Sequence, residues 1–566
     1  MKKQYFLAIA MFMLLTVFAA CSSDDNLDNG KGKVDVASKF EFPVTFADYN
    51  SDVQVGNTRA AANSSDTLKH EFVNMGNGIV ADVTLQRDKE NLSGNPAKSA
   101  STRTLPNSDY TMLAYQGGVL KGELKGVISG GSFYPNVGDP ESMSLAPGNY
   151  DFVLYSTSYF TRSGNNLTLT NANEYAILGR TNYTVTATPQ KQKVSFAMKH
   201  TAARVRVKFN TYVKVQPSNF NVSFSAANPA EVPSSAVYDA ATGTWSTSGT
   251  GGSFGFGGSS AWTESGSVTY SYTSPSYSYI FPGSNITNLK ATFGNTTIYT
   301  ENLYGKSLTF ALTPVLASVA NGSYLISITF HYNFLYLMTD GTTGLFSETT
   351  FGGGTKTPIA VVISQSKKLA AALEEVSSDY QNYSGVVNSG VINIPWSSWG
   401  PGSTFTADGA DGYKFTWEAS GSADGTTIKA NEQTRFPAFY SAAHYTPTLP
   451  AGKTLTGSIV GKKWFLPSLG EVLKIYGALK DIGPAGGLYS RSMGGGMMDL
   501  NYWQWGPYSE GHLSGMAPMA FVQVNGVSPV SLMMTSSQSS TGAGIAADYH
   551  VEIGGYSQTV RPFIHY

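Results

Sequence analysis

The sequence has little cysteine and little charge. A single cysteine among 566 residues cannot supply a disulfide framework, and it excludes any zinc or redox site built from several thiols. Charged residues make up only 13% of the chain, the net charge is −1, and no basic run occurs. The sequence therefore gives no electrostatic reason to expect a nucleic-acid partner.

Catalytic and metal-binding motifs are also missing. No H-E-x-x-H motif occurs, and the histidines of the C-terminal part are scattered along the chain. Asp408, Asp411 and Asp424 flank glycines, so a calcium loop is conceivable there, but the twelve-residue ligand pattern is absent and turn aspartates are favoured. We expect no enzymatic activity, no cofactor and no metal.

Aromatic residues and glycine, by contrast, are abundant. The chain has 33 tyrosines, 30 phenylalanines and 60 glycines, a composition that favours β-sheets joined by tight turns. Its length is too great for one core, so two or three domains are expected. The sequence predicts a mainly β protein: β-sandwich lobes over residues 40–330, followed by an α+β domain over residues 331–566.

The N-terminus has the features of a secretory signal peptide over residues 1–20. Lys2 and Lys3 precede a short apolar run, Tyr5–Phe18, which is shorter than a typical membrane span. Cys21 directly follows Ala-Ala and resembles the cysteine of a bacterial lipobox, with Phe18 in place of the more common leucine. The resemblance implies acyl chains on Cys21 and anchoring in the outer membrane, although an ordinary signal with a chance cysteine is the alternative.

A polar segment follows the lipobox. Ser22-Ser23-Asp24-Asp25 resembles the acidic tag of surface-exported lipoproteins in the Bacteroides group, which implies a location at the cell surface. Residues 21–39 are polar and contain glycine, so they are predicted to form a flexible tether.

Alternating apolar residues predict strands through the following region. Phe40–Phe46 is predicted to be a first strand, and Asn321–Phe330 closes the region with a last one. In Arg204–Phe209 the apolar side chains fall on one face and the basic ones on the other. A half-buried strand with a solvated basic face is predicted there.

Three segments in order, TLPNSDYTMLAY, LAPGNYDFVLYS and VSFAMKHTAARVRVKF, resemble strand motifs of fimbrillin-family pilus proteins. The resemblance implies two stacked β-sandwich lobes, location in a fimbrium, and other pilus subunits as partners. It also implies polymerisation by strand exchange, in which an arginine-specific protease removes the first strand and the next subunit donates a replacement.

By that resemblance, Arg59 is the candidate cleavage residue and Ala60 the new N-terminus. Phe40–Phe46 would be the strand removed. The alternative is that Thr-Arg-Ala is only a loop in an uncleaved accessory subunit, and Arg103 is a second candidate.

The C-terminal region contains one clear amphipathic helix, predicted over Trp464–Leu479. Ser468 and Glu471 form an S-x-x-E capping box, and Gly483 with Pro484 ends the pattern. The segment Lys368–Val376 is compatible with a helix or a strand.

Four segments, PIAVVIS, WFLPSLGEV, NYWQW and VRPFI, resemble a C-terminal module found on some fimbrillin-like proteins and other bacterial surface lipoproteins. That module is similar to C-type-lectin-like and formylglycine-enzyme-like folds, in which the first and last strands pair. PIAVVIS and VRPFI would then lie side by side. Residues 331–566 contain no cysteine, so the lectin disulfides and the catalytic thiol of the enzyme relatives are absent.

An aromatic cluster in the same region is the candidate ligand site. On a strand, alternate tryptophans share one face, where flat rings can stack on sugars and neighbouring amides can bond hydroxyl groups. A position in the core is the alternative, and it is favoured for Trp503. The candidate residues are Asn501, Tyr502, Trp503, Gln504, Trp505 and Tyr508.

Together these features predict a minor or tip subunit of a pilus whose C-terminal module binds host or bacterial glycans. A module at the C-terminus would prevent the last strand from serving as a donor, which suits the distal end of a fibre. The alternatives are an unpolymerised surface glycan-binding lipoprotein and a degenerate enzyme of the formylglycine-enzyme shape.

Overall fold

The structure is a computed structural model. It describes the following residues, and all structural statements below refer to them: 32–50, 67–88, 109–136, 143–187, 191–215, 220–256, 262–266, 269–299, 301–313, 315–377, 411–422, 424–468, 471–472, 475, 516–528 and 559–566.

The protein is mainly β, as predicted. In chain order, the strands up to residue 239 are β1 (Val34–Asp35), β2 (Phe40–Glu41), β3 (Val44–Phe46), β4 (Thr67–Gly76), β5 (Ile79–Arg87), β6 (Asp109–Gln116), β7 (Val119–Ser129), β8 (Ser132–Pro135), β9 (Ser144–Leu145), β10 (Gly148–Ser156), β11 (Thr161–Ser163), β12 (Asn166–Leu169), β13 (Ile177–Val185), β14 (Gln192–Lys193), β15 (Phe196–His200), β16 (Ala203–Thr211), β17 (Val222–Ala226) and β18 (Ser235–Asp239).

The strands that follow are β19 (Thr244–Ser248), β20 (Ser253–Phe256), β21 (Thr263–Ser265), β22 (Tyr270–Thr273), β23 (Ser278–Ile280), β24 (Asn288–Phe293), β25 (Thr297–Ile298), β26 (Glu301–Asn302), β27 (Ser307–Ala311), β28 (Ser323–Tyr332), β29 (Leu335–Met338), β30 (Thr343–Leu345), β31 (Pro358–Ser364), β32 (Leu369–Ala372), β33 (Val376–Ser377), β34 (Trp464–Phe465), β35 (Thr559–Val560) and β36 (Phe563–His565).

Helices are few and short in the described residues. The α-helices are α1 (Val36–Lys39), α2 (Gly412–Trp417), α3 (Pro437–Ala443) and α4 (Met516–Val522). Single 3₁₀ turns occur at Thr157–Tyr159, Pro229–Glu231, Phe346–Glu348, Ala419–Gly421, Lys429–Asn431 and Gly457–Ile459. Among these residues, no helix has the length and hydrophobicity needed to span a membrane.

The chain divides into two compact units that are discontinuous in sequence. The first unit comprises Met1–Gln54, Glu90–Ala202 and Ser234–Gly249, and the second comprises Val55–Lys89, Ala203–Pro233 and Thr250–Tyr566. The first unit contains a seven-stranded sheet of order β3-β15-β13-β10-β6-β7-β8 and a four-stranded sheet of order β11-β12-β18-β19. Its core is formed by the apolar faces of β6, β10 and β13 and by aromatic residues near the N-terminus.

The second unit contains three larger sheets. Their strand orders are β21-β22-β16-β28-β5-β4, β20-β17-β24-β27 and β30-β29-β31-β32-β36-β34, and β23 also pairs with β16. One hydrophobic core runs from β5 and β28 to β31 and α4, so residues before and after position 330 share buried neighbours.

Four expectations require correction. The tether prediction is wrong for Val34–Lys39, which forms β1 and α1, because Val36 is fully buried and its N–H donates to the Met143 carbonyl at 2.8 Å. The prediction of a solvated basic face on β16 is also wrong, since Arg204 and Arg206 are only 7% and 8% exposed.

The other two corrections concern the C-terminal sheet. The predicted helix over Trp464–Leu479 fails at its start, where Trp464–Phe465 is a strand that pairs with β36. PIAVVIS (β31) and the strand within VRPFI (β36) share a sheet but are not adjacent, because β32 lies between them. Leu369–Ala372 is thus a strand, which settles the ambiguous segment.

The capping box is confirmed. The Ser468 N–H donates to Glu471 Oε2 at 2.8 Å, and the Glu471 N–H donates to Ser468 Oγ at 3.3 Å. The two residues satisfy each other's backbone donors at the beginning of a helical turn.

Candidate assembly strand and surface groove

The site residues predicted from the sequence lie outside the described residues. These are the lipidation site Cys21, the processing site Arg59 and Ala60, and the aromatic cluster Asn501, Tyr502, Trp503, Gln504, Trp505 and Tyr508. They stay predictions. The structure does describe the segment that the processing would remove, Phe40–Phe46.

Phe40–Phe46 consists of two short strands interrupted at Phe42 and Pro43. On one side, β2 and β3 pair in parallel with β14 and β15, with Phe196 opposite Val44 and Met198 opposite Phe46. Proline has no N–H to donate, but the Pro43 carbonyl accepts from the Phe196 N–H at 2.8 Å. The parallel ladder therefore continues through the interruption.

The other side of the segment bonds to the opposite edge of the same sheet. The Val44 N–H donates to the Gly131 carbonyl at 2.8 Å, and the Phe133 N–H donates to the Phe42 carbonyl at 2.9 Å. Pro43 and Ser132 form an antiparallel bridge. Without β3, the sheet would begin at β15 and end at β8. Phe40–Phe46 bonds to both of these edge strands and therefore fills the gap between them.

The side chains of the segment alternate between the core and solvent. Phe40, Phe42 and Val44 are 6%, 2% and 5% exposed, whereas Glu41 and Thr45 point outward. The Phe42 and Phe133 rings pack edge to face, with centroids 5.9 Å apart. Full burial of such side chains contributes roughly 1.5–3 kcal/mol each, so their removal would leave an apolar groove with two unpaired sheet edges.

A groove of about 680 Å³ lies in the second unit, between β4 and the loop that follows β30. Its lining residues are His70, Glu71, Phe72, Asn74, Val80, Ser347, Thr350, Gly352, Gly353 and Gly354. Gly353 has a φ of +89°, and a Cβ there would lie 2.8 Å from Cδ2 of Phe72. Gly353 is therefore needed for the close approach of this loop to Phe72, which was not foreseen from the sequence.

A buried histidine lies beside this groove. The ring of His331 stacks on that of Phe346, with centroids 4.6 Å apart, and the Phe72 and Tyr212 rings pack around it. Burial, with a smaller contribution from the charge of His70, lowers the pKa of His331 to about 4. The groove thus adjoins an imidazole that is neutral at physiological pH.

Two of the aspartates considered for a calcium loop accept hydrogen bonds from the backbone. Asp424 Oδ1 accepts from the N–H groups of Thr426 and Thr427 at 3.0 and 2.9 Å, which makes Asp424 a turn residue as favoured from the sequence. Asp411 caps α2 by accepting from the Lys414 N–H at 3.1 Å. Asp408 lies outside the described residues.

Comparison with known proteins supports the resemblance of the N-terminal part. Residues 96–350 match the model of the family described as Fimbrillin-like, which is slightly less than half of the chain. No curated protein matches the chain. The lectin-like resemblance of residues 331–566 stays a prediction.

Solved structures of bacterial adhesion and fimbrial proteins also align with part of the chain. A proposed cell adhesion protein from Bacteroides uniformis is 16% identical, with 39% of this chain and 86% of that chain covered and a TM-score of 0.28. A fimbrial protein from Bacteroides vulgatus is 12% identical, with 40% and 91% covered and a TM-score of 0.23. A fimbrial assembly protein from Parabacteroides distasonis is 9% identical, with 42% and 91% covered and a TM-score of 0.25.

Proposed function

We propose that this protein is a non-catalytic, cell-surface subunit of a fimbrillin-type pilus, in a minor or tip position. It is anchored to the outer membrane through Cys21 and assembles with other fimbrillin-like subunits by strand exchange. The Fimbrillin-like match over residues 96–350 supports membership of a pilus or adhesion system.

The observation that carries the strand-exchange proposal is the position of Phe40–Phe46. The segment bonds to sheet edges on both sides and buries alternate apolar residues, which is the arrangement that a donated strand of the same pattern would reproduce. The segment precedes Arg59, so cleavage after Arg59 would separate it from the rest of the chain. The vacated groove would then accept the strand of a neighbouring subunit.

Assembly is tested with Arg59→Ala in the full-length protein, expressed in a fimbriated host, with Arg103→Ala as the matched control. The proposal predicts that the parent and Arg103→Ala proteins appear in sheared surface material as part of large polymers. Arg59→Ala should remain as an uncleaved monomer with the cells. Equal incorporation of all three proteins would contradict cleavage at Arg59.

We further propose that the C-terminal region mediates adhesion, with glycans as the ligand class. The support is the sequence pattern Asn501–Trp505, which places aromatic rings and amide groups close together. The unpolymerised glycan-binding lipoprotein remains the second candidate, and it predicts binding without any cleavage.

Adhesion is tested on an array of host mucin and bacterial surface glycans. We expect binding by the full-length protein and its loss in the double variant Trp503→Ala/Trp505→Ala. Asn74→Ala, in the groove of the second unit, is the control. Loss only in Asn74→Ala would assign binding to that groove, and no binding by any protein would refute glycan adhesion.

A further inference from the structure

Three metal-ligating side chains from separate parts of the second unit meet in the structure. Asp411 precedes α2, Glu471 belongs to the capping box, and His565 ends β36. One ligand atom from each of the three lies within 4.8 Å of the other two. The folding of the C-terminal sheet against these helix starts therefore creates a cluster of two carboxylates and one imidazole.

The imidazole of His565 is held in a defined orientation. Its Nδ1 lies 3.2 Å from the Lys367 carbonyl oxygen, which can only accept a hydrogen bond, so Nδ1 carries the proton. The neutral ring then has a free lone pair on Nε2. The Phe465 ring stacks on the imidazole at 5.1 Å, and Tyr413 contacts it edge-on at 6.1 Å. A backbone carbonyl on one ring nitrogen is the usual support of a metal-binding histidine.

Glu471 is a buried carboxyl group in the cluster, and burial, with a smaller contribution from the charge of Asp411, raises its pKa to about 7. Only 6% of the residue is exposed, and Oε2 accepts from the N–H groups of Ser468 and Gly412 at 2.8 and 3.2 Å. A bound cation would compensate the charge of a buried carboxylate beside a second one, as a proton otherwise does.

We propose that Asp411, Glu471 and His565 bind a divalent first-row transition-metal ion, for which Zn²⁺ is the probe. Two carboxylates neutralise the charge of such an ion, and nitrogen–oxygen ligand sets are typical of these metals. Ligand distances of about 2.0–2.2 Å in a tetrahedral site put neighbouring donor atoms about 3.4 Å apart. The three ligand atoms here lie within 4.8 Å of one another, so a closer approach of the side chains would bring all three to one ion. Calcium and magnesium prefer oxygen ligands alone, so the imidazole selects against them.

The ion would link the last strand of the chain to the starts of two helical segments. Because the unfolded chain does not bring these residues together, binding should stabilise the folded protein in proportion to the free metal concentration. This inference does not depend on the pilus role, since the cluster lies apart from Phe40–Phe46 and from Arg59 in the sequence.

The test uses the full-length protein after treatment with a chelator. We expect calorimetry to show a site for Zn²⁺ that Ca²⁺ and Mg²⁺ do not fill, and the melting temperature to rise as Zn²⁺ is added. Bound Co²⁺ should give a visible absorption band. Each of Asp411→Asn, Glu471→Gln and His565→Gln should weaken Zn²⁺ binding by more than about tenfold.

These variants preserve local structure as far as the chemistry permits. Asparagine is as good an N-cap residue as aspartate, and the amide oxygen of glutamine can accept the same two N–H groups as Glu471. His444→Gln is the matched control, because His444 is exposed and its Nδ1 likewise bonds to a carbonyl, that of Tyr440, at 2.9 Å. It should bind Zn²⁺ as the parent does.

Absence of Zn²⁺ binding would overturn the proposal, and so would equal affinity in the parent and all three cluster variants. Equal stabilisation by Ca²⁺ would assign the site to a different class of ion. If His565→Gln fails to fold, the Co²⁺ spectra of the parent and Asp411→Asn still decide. An unchanged spectrum in Asp411→Asn would exclude this cluster.

Discussion

Asp88 is a buried carboxylate at the centre of a charged network in the second unit. Its Oδ1 lies 2.6 Å from the Arg206 guanidinium, and its Oδ2 accepts from the Tyr277 hydroxyl at 2.7 Å. Arg204 lies over the Tyr277 ring, 3.8 Å from its centroid. Burial and the bond to Asp88 raise the pKa of Tyr277 to about 12, so the hydroxyl remains a donor. The network allows arginines to be buried on β16.

Asp88→Asn should lower the free energy of unfolding by about 3–5 kcal/mol, because it leaves the Arg206 charge buried without its anion. Urea unfolding of the full-length protein measures this change. Glu432→Gln is the control, since the contact of Glu432 with Arg435 is 4.0 Å long and exposed, and a change below about 1 kcal/mol is expected. Equal effects of the two substitutions would show that the buried pair is not a special determinant of stability.

His331 should make stability depend on pH. Its pKa is about 4 in the folded protein against 6.5 ordinarily, so between these values the unfolded chain binds more protons. This contribution to stability is fully present above pH 6.5 and is lost as the pH falls towards 4. The difference between pH 7.5 and pH 4.5 should be about 2–3 kcal/mol.

His331→Phe keeps an aromatic ring on Phe346 and removes the titration. Relative to the parent, its stability should therefore be greater at pH 4.5 than at pH 7.5 by that amount. Urea unfolding at both pH values measures the difference, and His444→Phe, at an exposed position, should show no such change. Parallel pH profiles of His331→Phe and the parent would refute the assignment.

The burial of Arg204 and Arg206 could not be predicted from residue patterns alone. The alternation of Arg204, Val205, Arg206 and Val207 correctly predicts a strand, and basic residues on one face normally indicate solvent. The neutralising Asp88 lies 118 positions from Arg206 in the sequence, so no local pattern connects them.

At the level of elements, Phe40–Phe46 contributes to the stability of the first unit through its apolar side. Phe40, Phe42 and Val44 belong to the same core cluster as Phe133 and Phe196, residues of the strands that flank the segment. An uncleaved subunit should therefore depend on this segment for its fold.

Phe42→Ala should lower the free energy of unfolding by about 3–5 kcal/mol through loss of buried contacts and creation of a cavity. Glu41→Ala, on the solvent side of the same segment, should change it by less than about 0.5 kcal/mol. Both values come from chemical denaturation of the uncleaved protein. A Phe42→Ala protein as stable as the parent would show that the segment does not complete the core.

Elements were predictable where their determinants are local. The capping box of Ser468 and Glu471 depends on residues three apart and was identified from the sequence. Trp464–Phe465 was assigned to the helix because its strand character arises only from pairing with Phe563 and Ile564, near the end of the chain. The insertion of β32 between β31 and β36 has the same kind of non-local cause.

On the scale of the whole molecule, the mainly β architecture followed from composition and alternation. The division into two units could not be predicted from composition and alternation, because each unit is assembled from separate stretches of the chain. The cluster of Asp411, Glu471 and His565 was missed for the same reason: its members are distant in sequence and follow no ligand-spacing motif. Asp411 was considered as a calcium ligand, but with partners close in sequence.

The strand-exchange role is tested most directly by the N-terminus of the protein in the assembled fibre. Mass spectrometry of material sheared from the cell surface should find chains that begin at Ala60, with Phe40–Phe46 removed. Chains that carry only a lipidated Cys21 at the N-terminus would contradict strand exchange and would favour a monomeric, anchored adhesin.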